Sequence, residues 1–348
     1  MLALRTRFRE ASVPISGGVE ITRRCNLRCV HCYLGAERVP TAGGAELDTR
    51  TWLPLIDAIA AAGCINLVFT GGEPLLRPDF AEIYTRAQRS GLRVTLFTNA
   101  TLVNEGVVAL LRDVPPAMVE VSIYGATERT YESITGISGS FGRCLAGIER
   151  LAQAGPPLTV KTVLTTLNLG EFERMERLAA DHGARWRFDP AIFPRLDGDR
   201  SPLAYRVSPA EAALKDIPNR ERASLWRDCY ESGAALPPSG HLYSCGAGVT
   251  NFHVDPRGTL LPCLMSKRPA VDLLRRDFSE AWREIVDVIS RMTVGAEYRC
   301  NACDMRNICS LCPPFHELEC GPVGEPSAYL CQLGDKRRER IYSLCHGD

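Results

Sequence analysis

Three cysteines stand close together near the front of the chain, in CNLRCVHCY from Cys25 to Tyr33, spaced C-x3-C-x2-C. With 15 cysteines among 348 residues, such a triple would arise by chance only about 0.03 times per chain. Thiolates are soft metal ligands, so the spacing points to a metal or an iron–sulfur cluster. A structural zinc site wants four protein ligands; only His31 is at hand as a fourth. Three thiolates alone leave one iron of a cubane cluster free for another ligand.

A second group lies far downstream. Cys245, Gly258 and Cys263 are followed by Cys300-x2-Cys303-x5-Cys309-x2-Cys312, then Cys320 and Cys331. The run of four would arise by chance on the order of 0.001 times, so this part of the chain is expected to bind metal. Paired C-x2-C units are also zinc-ribbon spacing, and a zinc-stabilised binding protein is the non-enzyme alternative. Cys64, Cys144 and Cys345 stand alone in apolar or helical surroundings and read as small core residues.

These residues need a scaffold. Six β-branched runs read as strands: 19–22, 65–70, 93–98, 118–123, 158–164 and 185–188. Helical patterns lie between them, at Arg50–Ala62, Phe80–Ser90, Glu105–Leu111, Phe141–Ala154 and Glu171–His182. Asp48 or Thr49 can cap the first, Gly63 can end it and Gly91 follows the second. Alternating βα units joined by right-handed crossovers make a parallel sheet, and six strands predict a partial (βα)6 barrel of the TIM type in the α/β class. Chemistry in such barrels sits at the carboxyl ends of the strands. Those ends carry the first cysteines, Gly71–Pro74, Asn99, Tyr124, Thr165–Asn168 and Asp189.

After Asp189 a loop rich in Pro, Asp and Arg leads to expected helices at Pro209–Lys215 and Arg220–Glu231. From His241 the chain is turn-rich, holds one helix at Phe278–Ile289 and offers few apolar runs, so bound metal is its expected organiser. The expected organisation is a barrel over 1–195, a linker over 196–240 and a cysteine-rich domain over 241–348.

CNLRCVHC resembles the signature of the radical S-adenosylmethionine (SAM) enzymes, and TGGEP at 70–74 resembles their partner motif. The resemblance implies a [4Fe–4S] cluster on Cys25, Cys29 and Cys32, with SAM chelating the fourth iron. Gly71, Gly72 and Glu73 would meet the SAM amino group, since glycine permits close approach and a carboxylate suits an ammonium. Asn99 and Ser122 match positions that contact the methionyl or ribose groups in similar enzymes, although short polar residues also favour turns. Lys161 could pair with the SAM carboxylate or stand solvated.

The downstream pattern resembles the SPASM extension of these enzymes. It implies a first auxiliary [4Fe–4S] cluster on Cys245, Cys263 and Cys312, and a second on Cys300, Cys303, Cys309 and Cys331. The last gap is x2 where the pattern has x3, which leaves Cys312 open. The fourth ligand of the first auxiliary cluster is an open iron position, Cys320 or Cys229.

The implied activity is reductive cleavage of SAM to a 5′-deoxyadenosyl radical that modifies a peptide or small protein. The alternative is tetrapyrrole side-chain chemistry of the haem-pathway enzymes. Leu264 stands where sulfatase maturases carry Asp, which argues against that reaction. Only 24 residues precede Cys25, so a separate peptide-recognition protein is expected, with flavodoxin or ferredoxin as electron donor. Lys plus Arg equals Asp plus Glu, at 41 each, which gives no argument for nucleic acid or an anionic membrane. No secretory signal and no run of about 18 apolar residues is present, so a cytoplasmic location is expected.

Overall fold

The structure, a computed structural model, describes residues 7–35, 45–234, 240–295, 297–321 and 325–346. Six parallel strands follow one another in sequence: β1 (Ser16–Thr22), β2 (Asn66–Gly71), β3 (Arg93–Thr98), β4 (Met118–Ser122), β5 (Leu158–Val163) and β6 (Arg185–Asp189). The helices between them are α1 (Thr49–Ala61), α2 (Phe80–Arg89), α3 (Glu105–Asp113), α4 (Glu128–Thr135), α5 (Ser140–Ala154) and α6 (Phe172–Asp181). All six expected strands are present, and five helices match expectation to within two residues. Asp48 is the cap of α1, accepting from Thr51 N at 2.9 Å.

Alternation along the strands separates two faces. Val19, Ile21, Leu67, Phe69, Val94, Leu96, Val119, Val121 and Val160 are buried in the main hydrophobic core. Their neighbours Gly18, Val68, Thr70, Phe97, Ser122, Lys161 and Val163 line a cavity inside the curled sheet. One face therefore holds the helices, and the other is left for chemistry.

Past the barrel come α7 (Pro209–Asp216), α8 (Arg220–Ala234), β7 (Asn251–Val254), β8 (Thr259–Leu261), β9 (Val271–Asp272), α9 (Phe278–Arg291), α10 (Pro313–Cys320) and α11 (Ala328–His346). Helices α7 to α9 were legible. After His241, where few apolar runs were expected, single apolar side chains nonetheless join the barrel's sheet and core. β7 pairs in parallel with β1, and β8 and β9 continue the sheet antiparallel, giving the order β6-β5-β4-β3-β2-β1-β7-β8-β9. Phe252, Phe278, Trp282, Ile285 and Ile289 are buried in the same core as the barrel. Phe252 crosses β1 at Gly17, where a Cβ would stand 2.1 Å from its ring. Among the described residues no helix is long and apolar enough to cross a membrane.

Candidate functional site

The cavity measures about 410 Å³ and lies at the carboxyl ends of the barrel strands. That volume is in the range of small-molecule sites. Cys25, Cys29 and Cys32, on the loop after β1, all line it, as do Gly71, Gly72, Asn99, Ser122, Lys161 and Asp189. The three thiols also act together on the buried Tyr124 hydroxyl; burial first, then their charges, raise its pKa well above the usual value.

The cysteine loop is held from two sides. Arg28 N donates to Thr135 O at 2.7 Å and Val30 N to Ile134 O at 3.0 Å, so the loop uses carbonyls at the C-terminal end of α4. From β3, Asn99 Nδ2 donates to Asn26 Oδ1 at 2.9 Å. Asn26 in turn donates to Thr101 Oγ1 at 2.8 Å, and Thr101 Oγ1 donates to Asn99 Oδ1 at 2.6 Å. Neither α4 nor the partnership of Asn26 with Thr101 was foreseen. The Asn-rich motif ends carried the signal, but the pairing spans about 75 residues.

Gly71 and Gly72 serve the fold in a way the sequence did not reveal. A Cβ at Gly71 would stand 2.0 Å from Thr22 O, and one at Gly72 would stand 2.2 Å from Arg24 O. The two glycines thus let the end of β2 close onto the segment that enters the cysteine loop; Gly72 N donates to Thr22 O at 2.8 Å. Gly71 also has φ +143°, which L side chains rarely adopt.

Glu73 is fully buried, and its carboxylate is held by donors from within the chain. Oε1 accepts from Thr98 Oγ1 at 2.8 Å and Leu75 N at 3.1 Å; Oε2 accepts from Asn99 N at 2.7 Å. A carboxylate with these three donors is an internal clamp between β2 and β3. Burial pushes its pKa up to about 7, against the pull of those donors.

Inside the barrel, Lys161 lies 3.2 Å from Glu120 Oε2 and over the Phe97 ring. Burial lowers its pKa to about 7; Glu120 opposes the shift and Arg187 adds to it. On β1, Glu20 is fully buried. It accepts from Tyr33 OH at 2.9 Å and lies 3.8 Å from His253 Nε2. Burial disfavours its charge, but His253, Arg23 and Tyr33 outweigh that and keep the carboxyl below its usual range.

The downstream cysteines fall into two neighbourhoods. Cys312 is in electrostatic reach of Cys263 and Cys245, while Cys309 is in reach of Cys303, Cys300 and Cys331. Burial pushes both the Cys309 and the Cys312 thiols up to about 12. Cys320 neighbours Cys331 instead of Cys263, and Cys229 is exposed. Leu264, beside Cys263, lines the cavity. Among the described residues no group of three or more His, Cys, Asp or Glu side chains converges as one metal ion would require.

A family model described as the radical SAM superfamily matches residues 19–179. The AdoMet-dependent heme synthase of Methanosarcina barkeri is 31% identical over 84% of this chain and 89% of its own length. The PqqA peptide cyclase of Ruegeria pomeroyi is 30% identical over 85% of this chain and 81% of its own. Among solved structures, Streptococcus suis SuiB bound to the precursor peptide SuiA superposes with a TM-score of 0.71. It is 16% identical and covers 94% of this chain and 80% of that one. The chain belongs to the radical SAM superfamily, among its SPASM-type enzymes.

Proposed function

We propose that this enzyme modifies a peptide or small-protein substrate. The observation that carries this reading is the apolar part of the cavity lining, to which Leu27, Leu34, Ile192, Phe193 and Leu264 contribute. Such a lining suits one amino-acid side chain entering from a peptide and excludes water around it. The PqqA peptide cyclase and the SuiB–SuiA complex support the same class of substrate.

The donor set fits the cofactors of the superfamily. Three thiols line one cavity, and a side-chain amide, Asn99 Nδ2, lies 4.0 Å from the Cys25 sulfur. When bound, the [4Fe–4S] cluster and SAM supply a 5′-deoxyadenosyl radical that takes a hydrogen atom from the substrate. Cys25, Cys29 and Cys32 hold the cluster, and Asn99 and Asn26 fix the loop. Gly71, Gly72 and Glu73 meet the SAM amino group, the Glu73 carboxylate keeping acceptor capacity beyond its three internal donors. Ser122 and Lys161 take the polar and carboxylate ends of SAM.

Two auxiliary clusters belong to the proposal, on Cys245, Cys263 and Cys312 and on Cys300, Cys303, Cys309 and Cys331. The two neighbourhoods described above support that division. The proposal divides the chain into a barrel over 1–195, a linker over 196–240 and an auxiliary part over 241–348. A separate recognition protein, a flavodoxin or ferredoxin as donor, and a cytoplasmic setting complete the reading.

Tetrapyrrole modification is the second reading, favoured by the heme synthase relative and by Lys161 in the cavity, which could receive a carboxylate side chain. The test is 5′-deoxyadenosine formation by anaerobically reconstituted enzyme with SAM and dithionite. Synthetic short peptides encoded beside the gene are compared with iron coproporphyrin III. Stimulation and a mass change with a peptide support the proposal; stimulation by the porphyrin alone replaces it with the second reading.

A further inference from the structure

Strand β7 lies beside β1 with His253 opposite Gly18, and both residues line the cavity. The histidine is 4% exposed. A Cβ at Gly18 would stand 3.1 Å from His253 Nδ1, so the glycine leaves that nitrogen open on the cavity side. The other nitrogen, Nε2, is buried without a hydrogen bond and lies 3.8 Å from Glu20 Oε2. A carboxylate on one side of an imidazole favours the tautomer protonated on that side. Nδ1 then carries its lone pair toward the cavity.

The other ionisable groups there are engaged differently. Lys161 is paired with Glu120, and Tyr33 donates to Glu20. Asp189 also lines the cavity; burial raises its pKa, and its Oδ1 accepts from Ala191 N at 2.9 Å. Leu264 offers no proton acceptor.

We propose that His253 is the catalytic proton acceptor of this enzyme, with Glu20 orienting the imidazole and stabilising its cation. The assignment rests on the radical modification proposed above. Removal of a hydrogen atom leaves a carbon radical. To finish an oxidation or a crosslink, a new bond forms at that carbon while an N–H, S–H or neighbouring C–H bond of the substrate breaks. The proton would go to His253 Nδ1, and the one surplus electron would be taken up by an oxidised iron–sulfur cluster held on the cysteines proposed above. Glu20, Tyr33, Arg23 and Asp255 are the charged and titratable groups of this corner. Arg23 lies 3.4 Å from Glu20 and 3.6 Å from Asp255, so the carboxylate facing His253 is not left alone.

The test compares wild-type, His253→Gln and His253→Ala holoenzymes, each with SAM, dithionite and whichever probe, peptide or iron coproporphyrin III, the wild type turns over. Wild-type turnover is established first. Failure of the substrate reading therefore appears in the wild type, and failure of the His253 assignment appears only in the variants. The readout is product formed per 5′-deoxyadenosine released. Both variants are expected to lower that ratio by at least about tenfold, and added imidazole to restore it in His253→Ala but not in His253→Gln. A ratio equal to wild type, including a parallel fall of both quantities as a purely structural role would give, overturns the proposal.

Discussion

Asn99 at the end of β3 donates through Nδ2 to Asn26 Oδ1 at 2.9 Å, inside the cysteine motif itself. The bond ties the loop that carries Cys25 to the barrel, and Thr101 closes the triangle. Asn26→Ala leaves two buried partners short of a hydrogen bond, at a cost of about 1–3 kcal/mol. Both the chemical denaturation midpoint and the rate of 5′-deoxyadenosine formation are expected to fall. A variant with wild-type values for both would remove Asn26 from the loop's support.

Glu73 makes a prediction about pH. Its folded pKa, about 7, lies above the ordinary 4.5. A carboxyl raised in this way binds its proton more tightly in the folded chain. Its contribution is therefore most favourable below pH 4.5 and is lost as pH climbs through 7. The cofactor-free protein should lose on the order of 3 kcal/mol from this group between pH 4.5 and 8. Glu73→Gln should flatten that part of the stability curve in urea denaturation. An unchanged slope would mean that the carboxylate is not the titrating group.

Lys161 titrates in the opposite sense. Burial depresses its pKa from 10.5 to about 7, so it is charged below neutrality and progressively neutral above. If it receives the SAM carboxylate, SAM affinity should weaken as pH rises past 7, by up to about tenfold per unit. Isothermal titration of Lys161→Met should show a lower affinity with that pH dependence removed. The same pH dependence in the variant would place Lys161 outside the SAM site.

The auxiliary thiols predict a metal count. Three cubane clusters amount to about twelve irons and twelve sulfides per chain after anaerobic reconstitution, and Cys300→Ala should lower the iron toward about eight. A wild-type count near four would leave only the cluster of the first motif.

Much of the barrel was legible because its strands are short β-branched runs and its helices carry clear caps. Cys25, Cys29, Cys32, Gly71, Gly72, Asn99, Ser122 and Lys161 were all read as site residues, and they meet in one cavity. Helix α4 escaped because TERTYESIT is mostly polar; only its caps, Thr127 and Gly136, mark it. The four residues of β7, in a turn-rich stretch, give too short a pattern to read as a strand. Its pairing with β1 joins positions more than 230 residues apart. That pairing alone brings His253 to Glu20, and no local pattern encodes it. The partners of Glu73 escaped for the same reason: two of its three donors are Thr98 and Asn99 at the end of β3, and a motif shows the carboxylate without its partners. Helix α11, rich in charge from Asp335 to Arg340, was missed because its buried positions pack against α7 and α8. Arg337 there pairs with Asp216 at 2.7 Å.

The central claim is that the thiols of CNLRCVHC hold the cluster that cleaves SAM. The most direct measurement is 5′-deoxyadenosine production from SAM and dithionite by reconstituted wild-type and Cys29→Ala enzyme. The account predicts production by the wild type and none above background in the variant. Production that survives in Cys29→Ala would put the reactive cluster elsewhere and contradict it.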